Sequence, residues 1–156
     1  MLYFAYGMNT NRGQMALRCP DAKSLGRAVL YGHEFRFARH ADIIENPAFN
    51  TRGVLWEITE DCEKSLDALE GFPDYYLKKT VNVFHNGRPV ECMVYFMADQ
   101  DNIKDELPSD GYLEMLFEGY AEHDVNTEQI IDSLDTINIL NHNYQQIQEK
   151  YYPEEA

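Results

Sequence analysis

The sequence predicts an α+β fold, a small mixed β-barrel or curved sheet with flanking helices. Three observations carry this. Strand-like segments come mostly first, helices are inserted or appended, and Asn86-Gly87 sits between two apolar runs as a strong hairpin signal. The 156 residues favour one core. Residues 1–125 are expected to form the main domain and residues 126–156 a helical extension packed on it.

Residues 2–6 form a short apolar run, read as a buried strand that ends at Gly7. A helix is expected from about Thr10 to Arg18, stopped before Pro20. In Ala28–Arg39, Phe35 and Phe37 alternate with Glu34, Arg36 and Ala38, a strand pattern. Asn46–Asn50 reads as a loop and Gly53–Ile58 as a strand. Thr59 caps a helix whose first turn holds Glu60, Asp61 and Glu63, and Gly71 fits its left-handed C-terminal cap. Leu77–Phe84 and Val90–Phe96 are the arms of the hairpin. A polar loop over 98–110 precedes helices at Tyr112–Glu122 and Thr127–Tyr151, the second with candidate breaks near Asn138 or Asn141–Asn143.

A net charge of −14 repels phosphate backbones, which argues against a nucleic-acid partner. Cys19, Cys62 and Cys92 form no CxxC or metal pattern, and an odd, scattered set suits a reducing cytoplasm. The five histidines show no HxxxH spacing, so no metal is expected. No signal peptide or membrane span is read from the chain. The stripe Ile130, Ile131, Leu134 and Ile137, with Ile147 and Tyr151 beyond it, could dock on the domain or form a dimer contact, giving a monomer or a homodimer. Phe35, Phe37, Trp56, Phe72 and Phe84 read as core or pocket wall.

One carboxylate sits where stability alone would not put it. Glu70 ends the helix that begins after Thr59, next to the negative end of the dipole and near the apolar face of Cys62, Leu66 and Leu69. Both surroundings favour the neutral acid and push its pKa toward the range useful for proton transfer. The plainer reading is a solvated helix end. Asp67, one turn earlier, is the competing carboxylate and reads as structural or exposed. The turn Tyr6-Gly7-Met8-Asn9 can aim successive N–H groups into one space, as a nest for a carboxylate or an oxyanion. It can equally be a tight strand-to-helix turn capped by Asn9 or Thr10. Arg36 and Arg39 could meet a substrate carboxylate, with a surface role expected for at least one of them.

Tyr3-Phe4-Ala5-Tyr6-Gly7-Met8-Asn9 resembles the YFAYGSN signature of the γ-glutamyl cyclotransferase-like (AIG2-like) superfamily. Leu66-Asp67-Ala68-Leu69-Glu70-Gly71-Phe72-Pro73, followed by Tyr76 and Val81, resembles its LDxxEG…Y segment, and Gly53–Trp56 its preceding strand. The resemblance covers roughly residues 1–120, and the paired motifs are more specific than either alone. It implies a compact barrel with a pocket at the end of the first strand. It also implies cyclisation of a γ-glutamyl amine or amino acid to 5-oxoproline with release of the free amine, without metal or organic cofactor. Carried over, Glu70 is the catalytic acid/base, Tyr6, Gly7, Met8 and Asn9 form the donor loop, and Tyr76 and Tyr112 are pocket tyrosines. Met8 stands where the family usually has Ser or Thr, Thr10 where Leu is common, and Asp74 near a position where some members have Gly. The alternative is a non-catalytic module on the same fold, binding a γ-glutamyl metabolite or a protein.

Overall fold

The computed structural model describes residues 1–151, without the side chains of Tyr144, Ile147, Gln148 and Tyr151. Its strands are β1 (Leu2–Ala5), β2 (Lys23–Ala38), β3 (His40–Glu57), β4 (Tyr76–His85) and β5 (Arg88–Met97). Its helices are α1 (Arg12–Arg18), α2 (Glu60–Glu70), α3 (Asp110–Glu122) and α4 (Glu128–Tyr151), with a 3-10 turn at Met8–Thr10. The strands close into a barrel in the order β1-β3-β2-β4-β5. β1 runs antiparallel to β3, from Leu2↔Glu57 to Ala5↔Val54. Its parallel contact with β5 at Tyr3↔Met93 completes the ring. Closure removes the exposed sheet edges that a five-stranded open sheet would leave.

The β2–β3 hairpin is the main structural departure from expectation. β2 begins at Lys23 rather than Ala28, and Asn46–Asn50 lies inside β3 instead of forming a loop. Those residues are polar or exposed, which is why their composition resembles a loop. The backbone of β2 nevertheless supplies partners on both sides, Glu45 to His33 and Asn50 to Tyr31, across a register shift. Tertiary pairing thus overrides local composition. The β4–β5 turn behaves as expected, with Asn86 and Gly87 both at positive φ (51° and 77°) between the paired His85 and Arg88.

α4 is continuous through Asn138, Asn141 and Asn143, with no break at either candidate position. Ile130 and Ile137 are buried, Leu134 packs on the core, and α4 contacts β2. Ile131 faces outward at 46% exposure. The side chains of Ile147 and Tyr151 lie outside the described residues. The barrel core is rich in aromatic rings meeting edge to face. Phe35 and Phe37 lie 5.0 Å apart, and Phe35 also meets Tyr6 at 6.2 Å. Phe84, expected in the core or pocket wall, is instead 42% exposed and meets Tyr31 edge to face at 5.0 Å.

Candidate active site

The site begins where β1 stops. After Ala5 the chain leaves the sheet, and the Thr10 and Asn11 amides turn back to the Gly7 and Met8 carbonyls at 3.0 and 3.1 Å. The amides of Gly7, Met8 and Asn9 precede any carbonyl of this turn that could accept from them, so their partners lie outside it, and the Met8 amide already donates to the Tyr112 oxygen. Gly7 has φ −110°, so no left-handed conformation demands the glycine. Space does: a Cβ there would stand 3.1 Å from Ala41 Cβ and 3.2 Å from the Tyr112 hydroxyl. The cap of α1 is Asn11, whose Oδ1 accepts from Gln14 N at 3.1 Å, rather than Asn9 or Thr10. The Thr10 hydroxyl donates to the Gly7 carbonyl at 2.8 Å. Asn9 is thereby left to serve something else.

Helix α2 delivers Glu70. Thr59 accepts from Cys62 N at 3.2 Å to start the helix, and Gly71 at φ 63° ends it. Cys62 and Leu66 are buried, while Leu69, expected on the same face, is 46% exposed and borders the cavity beside Glu70. The Asn9 Nδ2 group donates to Glu70 Oε1 at 3.2 Å and to the Tyr3 hydroxyl at 3.0 Å. Arg18, from the last turn of α1, donates to Asn9 Oδ1. Burial raises the Glu70 carboxyl to about 7, against the opposing pull of the Arg18 charge and the Asn9 hydrogen bond.

Around this carboxyl lies a cavity of about 240 Å³. It is smaller than the roughly 300–1,000 Å³ typical of drug-sized sites, and its scale suits a small metabolite. Tyr6, Gly7, Met8, Asn9, Glu70, Tyr76 and Tyr112 all line it, so the residues that the resemblance carried over lie on one cavity wall. Six tyrosines wall it: Tyr3, Tyr6, Tyr75, Tyr76, Tyr95 and Tyr112. Several are held rigidly by main chain. The Tyr6 hydroxyl donates to the Tyr95 carbonyl at 2.7 Å, and the Tyr76 hydroxyl to the Ala41 carbonyl at 2.8 Å. The Tyr112 oxygen accepts from Ala41 N at 3.0 Å. Burial pushes the Tyr112 phenol up to about 12 and the Tyr3, Tyr6, Tyr76 and Tyr95 phenols well above their usual value. They are hydrogen-bonding walls, with no proton to lose near neutrality.

The sequence reading missed Arg18, His40, Tyr3, Tyr75 and Tyr95 as lining residues. Tyr75 adjoins Tyr76, and Tyr3 lies within the quoted motif, so both were within reach. Arg18 looked like an ordinary cation at a helix C-terminus, a placement that needs no site to explain it. His40 lies just past the β2–β3 turn, at a position without a local motif. Its Nδ1 lies 3.2 Å from the Tyr75 hydroxyl, and burial, then the Arg39 charge, lowers its pKa.

Neither Arg36 nor Arg39 lines the cavity. Arg36 pairs through Nε and Nη2 with the fully buried Asp42, each at 2.9 Å. Asp42 also accepts from Met97 N at 2.8 Å and from Gln100, so its carboxylate is well satisfied, while Arg36 Nη2 lies in ion-pair range of it without a hydrogen bond of its own. Arg39 stays at the surface, 3.7 Å from Glu106. Asp67 turns away from the cavity toward Lys78, at 2.8 Å, and accepts from the Tyr95 hydroxyl at 2.6 Å. Its structural reading holds, and it leaves Glu70 as the carboxylate in the cavity lining.

A family model described as "Gamma-glutamyl cyclotransferase, AIG2-like" matches residues 3–114. A bovine γ-glutamylcyclotransferase is 28% identical, over 81% of this chain and 73% of its own length. A putative γ-glutamylcyclotransferase of Methanocaldococcus jannaschii is 31% identical over 44% of this chain, and the match spans 62% of that relative. Among solved structures, one named γ-glutamyl cyclotransferase superposes with a TM-score of 0.75 at 27% identity, covering 82% of each chain.

Proposed function

Since the chain belongs to the γ-glutamyl cyclotransferase, AIG2-like family, we propose that it cyclises a γ-glutamyl amine or amino acid to 5-oxoproline and releases the free amine. The α-amine of the substrate attacks its own side-chain carbonyl carbon. A five-membered ring forms, the amide C–N bond breaks, and the leaving nitrogen departs. Holding the substrate folded takes the entropy of ring closure out of the barrier. Glu70 takes one proton from the substrate ammonium, which frees the amine to attack, and returns it to the leaving nitrogen. The second proton, lost as the ring nitrogen becomes an amide, also goes to that nitrogen, which departs as an ammonium, so the step needs no other reactant. The amides of Gly7, Met8 and Asn9 hold either the developing oxyanion or the α-carboxylate, while Tyr6, Tyr76 and Tyr112 shape the pocket.

The observation that carries this reading is the pairing of a carboxyl raised to about 7 with the first turn after β1, in one cavity of metabolite size. A carboxyl with that pKa exists in both protonation states near neutrality, as an acid that must also act as a base requires. The test is incubation with a panel of γ-glutamyl amines and amino acids, following 5-oxoproline and the free amine together. Equimolar appearance of both, lost in folded Glu70→Gln, supports the proposal. Product at the wild-type rate in that variant removes Glu70 from the mechanism, and no product from any substrate favours a binding module.

The same proposal covers the setting. No helix among the described residues is long and apolar enough to cross a membrane. We place the protein in the cytoplasm, where its three buried free thiols stay reduced. It acts there as a monomer or homodimer with no nucleic-acid partner. The described part of the 126–156 extension docks on the 1–125 domain through Ile130 and Ile137, and residues 152–156 lie outside the described residues. Cell fractionation, sedimentation and a nucleic-acid shift assay check these points.

A further inference from the structure

Asn9 is buried, 3% exposed, and both ends of its amide are used. Its Oδ1 accepts from the Arg18 guanidinium, and its Nδ2 serves the Tyr3 hydroxyl and Glu70 Oε1. Turning the amide over would set its two N–H donors against the guanidinium, which has only donors. It would also set its oxygen against Glu70 Oε1, which only accepts while the carboxyl is ionised. One orientation is therefore strongly preferred, and the side chain enforcing it is Arg18. The main chain of Arg18 is anchored to α2, because Ser65 donates to its carbonyl at 2.7 Å.

We propose that Arg18 is a positioning residue: it locks the Asn9 amide with its NH2 group toward Glu70, so that Oε1 is occupied and Oε2 is presented to the substrate nitrogen. The inference rests on the acid/base reading of Glu70 and adds the device that aims it. A carboxylate free to rotate would offer either oxygen in many poses, and proton transfer needs one at hydrogen-bond reach.

The electrostatics agree. The phenols of Tyr3, Tyr6, Tyr75, Tyr76, Tyr95 and Tyr112 that face Glu70 are all pushed upward, and His40 on the rim is pushed down. On its own helix, Asp67 is engaged by Lys78. Around neutrality the cavity thus holds one fixed cation, Arg18, beside one titrating acid, and Arg18 is the largest influence opposing burial at Glu70.

The test is a carboxyl-carbon NMR titration of Glu70 in the full chain without substrate, in wild type, Arg18→Met, Arg18→Lys, Asn9→Leu and the Met/Leu double variant. The expected result is a midpoint raised by about one pH unit in Arg18→Met and in Asn9→Leu. The double variant should show less than the sum, because Arg18 works partly through Asn9, and Arg18→Lys should recover part of the difference. The acid limb of the kcat/KM profile should follow the NMR midpoint, with kcat falling more than KM rises. An unmoved midpoint in Arg18→Met, or strictly additive changes, overturns the proposal. Should Arg18→Met fail to fold, Asn9→Leu carries the test from the other side, and a wild-type midpoint there overturns it alone. A shifted midpoint in a protein that makes no 5-oxoproline refutes the cyclotransferase reading and the aiming of Oε2 at a substrate nitrogen with it, and leaves only the coupling of Arg18 and Asn9 to Glu70.

Discussion

The hydroxyl of Tyr120 donates to the main-chain carbonyl of Tyr6 at 2.6 Å, joining α3 to the residue just before the donor turn. Gln129 in turn donates to the Tyr120 oxygen at 2.7 Å. Tyr120 is fully buried, so the Tyr6 carbonyl has no water to replace this partner. Tyr120→Phe should cost about 1–2 kcal/mol of stability. It should also lower kcat roughly tenfold, by letting the turn drift from its aligned position. Thermal melting and steady-state kinetics check the two effects, and normal kcat with reduced stability would mean the bond serves folding alone.

Activity should depend on pH through Glu70. The carboxyl titrates near 7 and must be anionic to accept the ammonium proton. The kcat/KM profile is therefore expected to fall below about pH 7, one decade per pH unit. Glu70→Gln should lower kcat by about 10²–10⁴-fold. An acid limb near 4 would mean that a different, unperturbed group is the base.

The same carboxyl should make wild type less stable as pH rises. Its folded pKa of about 7 lies above the ~4.3 of an unfolded Glu, so between those values the native state holds more protons. Stability is full below the lower value and is lost as pH rises through the upper one. Glu70→Gln removes the loss. It should melt higher than wild type at pH 8, by about 1–2 kcal/mol after discounting for partial solvent access, with the gap closing toward pH 4. Equal pH slopes for the two proteins would contradict this.

Met8 tests whether position 8 contributes main chain or side chain. If the amide alone is used, Met8→Ser should leave kcat/KM within about threefold of wild type. A much larger gain would assign the hydroxyl a part in the chemistry.

Gly53 should be intolerant of any side chain. A Cβ there would lie 2.2 Å from the Ala5 carbonyl oxygen and 2.9 Å from the Phe4 ring, so β1 could not keep its register on β3. Gly53→Ala is expected to cost at least about 3 kcal/mol, read from denaturant unfolding. The loss should reach the site, because β1 delivers the donor turn.

Local chemistry made much of this legible in advance. Thr59 and Gly71 bracket α2, Asn86-Gly87 makes the hairpin, and Glu70 stands at an unfavourable helix end. The misreadings have one cause. Asn46–Asn50 is a strand only because β2 lies beside it, and Arg36 is largely covered only because Asp42 folds back to meet it. Arg18 joins the cavity through Asn9, a partner whose own place depends on the turn. Composition and periodicity report what a segment prefers alone, while these placements depend on what the rest of the chain brings alongside.

Six of the eleven tyrosines wall the cavity, while the single tryptophan, Trp56, is not among its lining residues. The protein therefore carries its own optical reporter. Anything entering the cavity meets a wall built from more than half of the chain's phenols and changes their surroundings, so near-ultraviolet difference spectra should register occupancy without a label. Screening amines by that signal would separate recognition from turnover, and would rank leaving groups even in a variant stripped of its acid.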